Sequence, residues 1–72
     1  MELFNNLKSV RFNNGQLTQE DLARAVEVSR QTIIAIEKGK FNPSVKLALM
    51  IAAHFNCQVE DIFILKEKGD LS

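Results

Sequence analysis

LTQEDLARAVEVSRQTIIAIEK, residues 17–38, spells two short helices and the turn between them. Thr18 offers a capping hydroxyl, and Glu20 and Asp21 follow in the first turn, where carboxylates meet the positive end of the helix dipole. Leu22, Ala23 and Val26 then form one apolar stripe. Ser29 caps the next helix, whose inner residues are Ile33 and Ile36. Only Glu27 and Val28 lie between, too few for the second helix to fold back alongside the first. The two helices must cross steeply, with Val28 plugging the angle and small Ala23 at the closest approach. That is the helix-turn-helix arrangement.

On a helical wheel, Ile33 and Ile36 define the core direction of the second helix of this pair. Gln31, Ala35 and Lys38 then point outward, with Arg30 and Ile34 on one flank and Thr32 on the other. Glu37 turns towards the core. Gln can bond adenine in two places, Arg can do the same with guanine, and Ala or Ile can touch a thymine methyl. An ordinary solvated face is the alternative, but such a face is expected to carry Glu–Lys pairs four apart, and this one carries none.

Outward from this pair, interruptions at Asn13-Asn14-Gly15, Gly39 to Ser44 and Asn56 to Gln58 delimit three further pieces. The first helix is expected over about Asn5 to Phe12. The fourth opens at Pro43-Ser44 and buries Leu47, Met50, Ile51 and Phe55. The fifth runs from about Val59 through Leu65. The expected fold is therefore all-α, a compact five-helix orthogonal bundle over residues 1–65, with a charged tail over 66–72. A chain of 72 residues buries only about 60% of its unfolded surface, so regular packing, a second copy or both must help.

Composition removes several function classes. Cys57 is the one cysteine and His54 the one histidine, which is too few ligands for a dedicated zinc or iron site and leaves no disulfide within a chain. His54 suits the negative end of the fourth helix, and Cys57 suits a small buried hydrophobe. No phosphate loop, paired acid–base carboxylates or Ser/His/Asp set is present, so neither catalysis nor a cofactor is expected. The apolar runs are too short for a membrane span, and the cytoplasm is the expected compartment. Net charge is zero, yet it is uneven: residues 1–28 carry −1, residues 29–46 carry +3 and residues 47–72 carry −2. A basic middle suits a polyanion on one face, although charge alone does not decide it.

The motifs L-T-Q-x-x-L-A, V-S-R-Q-T-I, I-E-x-G-K, N-P-S and E-D-I-F occur in order and at the usual spacing. From Leu7 to Phe63 the chain resembles the Cro and phage-repressor type of helix-turn-helix, the XRE family. The resemblance implies a lambda-repressor-like domain and a sequence-specific regulator of transcription, a repressor by preference, acting on a double-stranded DNA operator. It implies that Gln19 contacts a phosphate or an end base and that Ser29 caps the recognition helix beside a phosphate. Arg30, Gln31, Thr32 and Ala35 are implied to enter the major groove, with Lys40 and Asn42 clamping the backbone; Lys38 joins them on the outward face. Arg11 and Glu37 match a buried ion pair in several members. A loose surface pair is the alternative, and the inward turn of Glu37 favours burial.

Three positions depart from the family pattern. Glu27 stands where a left-handed glycine is usual, Gln58 stands where a Ser or Thr cap is usual, and the loop Asn13 to Gln16 is one residue longer. Ile62, Phe63, Ile64 and Leu65 are too apolar for one helix face, and either close the core or form a twofold interface. A homodimer is favoured, since half-sites one turn apart demand two copies. An antitoxin-like module that sequesters a partner protein shares this fold and is the alternative function.

Overall fold

The computed structural model describes residues 1–67. The elements are β1 (Glu2–Asn5), α1 (Leu7–Asn13), α2 (Gln19–Ala25), α3 (Arg30–Glu37), α4 (Val45–His54), a single 3-10 turn (Val59–Asp61) and β2 (Phe63–Lys66). Leu7, Leu22, Ile33, Ile36, Ile51 and Ile62 are each no more than 1% exposed. They come from all four helices and from the approach to β2, so one core joins these elements. Burying a side chain of this kind contributes about 1.5–3 kcal/mol.

The helix count is a correction. Among the described residues four helices form, not five, and β1 and β2 pair as a two-stranded antiparallel ribbon in which Leu3 faces Leu65 and Asn5 faces Phe63. After the 3-10 turn, Ile62 keeps helical backbone (φ −111, ψ −47) and points inward, and the chain then extends. Ile62 is 0% and Phe63 is 8% exposed, whereas Leu65 is 62% exposed. A bend at Ile62 lets Ile62 and Phe63 both enter the core, and exposure then rises steadily along β2. At the other end, the expected start of α1 moves from Asn5 to Leu7 because Asn5 belongs to β1. The Asn5 Oδ1 accepts the Leu7 N–H at 3.1 Å, and its Nδ2 donates to the Ile36 carbonyl at 2.9 Å. One side chain thus satisfies the first N–H of α1 and ties that end of the helix to the end of α3. The boundary expected after residue 65 falls inside β2, and the tail from residue 68 lies outside the described residues.

The caps read from sequence form. The Ser44 Oγ accepts the Leu47 N–H at 3.1 Å, and Thr18 Oγ1 accepts the Asp21 N–H at 3.0 Å. Hydrogen bonding from the Thr18 side chain, and secondly from its backbone N–H, holds the Asp21 carboxyl below its usual range. Gln58 opens only one turn, with its N–H donated to the Asp61 carboxylate at 2.9 Å.

Helices α2, α3 and α4 end alike. At each, a left-handed residue follows the cap: Glu27 (φ 62), Gly39 (φ 74) and Asn56 (φ 54). The next N–H then reaches back across the last turn, Val28 to Ala23 at 2.9 Å, Lys40 to Ala35 at 2.9 Å and Cys57 to Ala52 at 3.0 Å. These are Schellman closures, which favour glycine and tolerate asparagine. Glu27 has neither advantage, and the left-handed backbone costs it about 1–2 kcal/mol. Glycine's added freedom in the unfolded chain offsets about 0.5–1 kcal/mol of any relief. Glu27→Gly is therefore expected to raise unfolding stability by about 0.5–1 kcal/mol. The check is chemical denaturation, where a lowered midpoint would show that the turn holds no such strain.

Candidate nucleic-acid interface

α2 packs directly against α3, as the helix-turn-helix spacing requires. Ser29 sets where α3 begins, its Oγ accepting the Thr32 N–H at 3.2 Å. The same Oγ lies 3.0 Å from Thr32 Oγ1, so the Thr32 hydroxyl shares in the cap. With Ile33 and Ile36 buried, Gln31 and Lys38 are exposed as the wheel gives; Arg30, expected on a flank, is also exposed, and Ala35, expected to point outward, is half-buried like Ile34. Lys40 and Asn42 are exposed in the loop that Gly39 opens.

The inward turn of Glu37 has a partner. Arg11 Nε donates to Glu37 Oε2 at 2.6 Å, and Arg11 Nη2 donates to Oε1 at 3.1 Å. The two side chains are 9% and 8% exposed, which makes this the buried pair and not the loose one. Arg11 Nη1 also donates to the Leu17 carbonyl at 2.8 Å. Gln19 completes the group, its Nε2 donating to Glu37 Oε1 at 3.1 Å. The last residue of α3 is therefore fastened to α1 and to the first residue of α2. Two-pronged, charge-assisted bonding of this kind fixes orientation as well as contributing energy.

Two adjoining hollows border the outward face of α3. One is lined by Phe12, Gln19 and Arg30 among others, and the next by Lys8, Phe12, Gln19, Ile34 and Lys38. Gln19 and Phe12 belong to both, so Gln19, Arg30 and Lys38 are brought onto one continuous strip; Lys40 and Asn42 line neither hollow. Sequence reasoning overlooked Lys8 and Phe12. Their spacing of four, out of phase with inward Leu7 and Arg11, was the available signal.

Other side chains serve the scaffold. Burial, and secondly Asp61 nearby, pushes the half-buried Cys57 thiol above its usual value. His54 stacks edge-on against Phe55 with ring centroids 5.2 Å apart. Among the described residues no His/Cys/Asp/Glu group could hold a metal ion, and no helix is long and apolar enough to cross a membrane.

A family model described as helix-turn-helix matches residues 11–62. An uncharacterised HTH-type transcriptional regulator of Methanocaldococcus jannaschii is 65% identical over 51 residues, which cover 71% of this chain and 77% of that protein. Another, from Bacillus subtilis, is 45% identical over 65 residues, covering 90% of this chain and 97% of that protein. Among solved structures, a Bacteroides fragilis protein described as DNA-binding superposes with a TM-score of 0.74 at 24% identity. It covers 85% of this chain and 97% of its own. At that identity the likeness speaks for the fold.

Arg11→Met is expected to destabilise the fold by about 3–5 kcal/mol, because it strands a buried carboxylate. Adding Glu37→Met should recover much of the loss, since the uncompensated charge is then gone. Denaturation of both variants checks this; a single variant with unchanged melting would remove the ion pair from the account.

Proposed function

The chain belongs to the helix-turn-helix family, of the XRE type, and from that premise we propose that it is a sequence-specific, double-stranded DNA-binding repressor that acts in the cytoplasm as a homodimer. The observation that carries this is the exposed set Arg30, Gln31 and Lys38 on a helix whose far end is pinned by a buried ion pair. Base-edge hydrogen bonds discriminate only when the donors are held in place, and α3 is held at its start by Ser29 and at its end by Glu37. Arg30 and Gln31 read purine edges, while Ala35 and Ile34 lie where thymine methyls would pack. Lys38, Lys40 and Asn42 contact the backbone on either side and set the register. Occupying the operator excludes other proteins from it, which makes repression the simplest regulatory act.

Two copies are needed to read two half-sites one helical turn apart. Ile62 and Phe63 are spent on the core, so of the four residues expected at an interface only half-buried Ile64 and exposed Leu65 can serve it.

Selection from random duplexes at physiological salt tests the proposal. The expected product is an inverted repeat with half-sites about 10 base pairs apart. Arg30→Ala should keep its melting behaviour and lose about 1–3 kcal/mol of discrimination at one position. No enrichment, together with a stoichiometric protein partner on purification, would favour the sequestering alternative.

A further inference from the structure

Lys8 and Phe12 lie one turn apart on the outer side of α1, because Leu7 and Arg11 occupy its inner side. Phe12 is 54% exposed and outside the core; its ring lies 5.9 Å from the Arg11 guanidinium, and its outer face is left open among the described residues. Across the hollow, Ile34 and Lys38 of α3 also stand one turn apart, an apolar residue and a lysine in the reverse order. Gln19 and the Arg11–Glu37 pair lie between the two walls. Glu37, the one carboxylate lining this hollow, receives two bonds from Arg11 and one from Gln19, so its charge is neutralised in place. The rim charge is then that of Lys8 and Lys38. Glu20, on the neighbouring hollow, sits 3.8 Å from Arg24.

A positive rim around an apolar lining matches a sugar–phosphate strand, with anionic oxygens at the edge and deoxyribose carbons within. The geometry points to the outer edge of α1 as a second DNA-binding wall: Lys8 and Lys38 pair with phosphates of the strand bordering the major groove, and Phe12 and Ile34 pack against its sugars. Phe12 and Gln19 continue this wall into the hollow that holds Arg30, so backbone and base contacts meet at the start of α3. The inference rests on the DNA-binding proposal and adds a contact that carries no base information.

The test measures binding of the full chain to the selected operator and to a 20-base-pair duplex of scrambled sequence, across a range of salt. Lys8→Gln is expected to weaken both duplexes alike and to lower the salt slope by about 0.9, the value of one phosphate contact. Lys8→Arg should restore the slope. Phe12→Ala is expected to weaken both roughly tenfold with the slope unchanged. The melting curve should not move for Lys8→Gln, and Phe12→Ala, which also loses the ring beside the Arg11 guanidinium, should stay folded with only a small fall in melting temperature. If Lys8→Gln keeps the wild-type slope, or Phe12→Ala the wild-type affinity, while Arg30→Ala still loses operator preference, the α1 wall is overturned and the regulator proposal stands. If the unaltered chain ignores both duplexes and instead binds polyglutamate in a Lys8-dependent way, the strip serves an acidic protein segment and both proposals fall.

Discussion

Glu37 ends the helix that faces outward, and its carboxylate is out of water. A buried carboxylate with no partner is too costly to persist, so this one dictates what surrounds it. Arg11 must come from α1 with its fork aligned, and Gln19 must open α2 close enough to donate. Three helices converge on two oxygens. The angle at which α3 presents Arg30 and Gln31 is thereby set by charge and hydrogen-bond geometry, which tolerate less sliding than apolar contacts do. Replacing the group by hydrophobic residues need not weaken such a domain, so its value lies in orientation more than in stability.

The rest of the chain keeps that group in place. β1 pairs with β2, and the Asn6 N–H donates to the Ile62 carbonyl at 3.0 Å just inside the ribbon. Asn5 then links the start of α1 to the Ile36 carbonyl, one residue before Glu37. Left-handed residues close α2, α3 and α4, and only at α2 is that residue neither glycine nor asparagine. The turn between α2 and α3 is thus where local preference yields to the global fold, and it is the turn that aims α3.

What could be read from sequence follows from how local each signal is. Thr18, Ser29 and Ser44 sit three residues before the N–H they cap, so their roles were legible, as was the phase of Ile33 and Ile36 that turned Glu37 inward. The ribbon was not, because each strand has four residues and its partner lies about sixty positions away. Ile62 to Leu65 carries the same apolar content whether it coils or extends, and only pairing with Leu3 and Phe4 decides it. Asn5 belongs to β1 and not to α1 for the same reason. At the candidate site, Arg30, Gln31 and Lys38 are where the wheel puts them, while the hydroxyl of Thr32 is occupied by Ser29. Gln19 was found through the family resemblance, but its bond to Glu37 crosses eighteen residues and left no local mark.

The central claim is that α3, held by the Arg11–Glu37–Gln19 group, is the surface that meets DNA. Amide chemical shifts of the full chain, followed while a duplex is added, test it most directly. The account predicts that the largest changes fall on Arg30, Gln31, Ala35 and Gln19, with the β1–β2 ribbon nearly silent. Changes confined to the ribbon or to α4, with α3 unmoved, would contradict it.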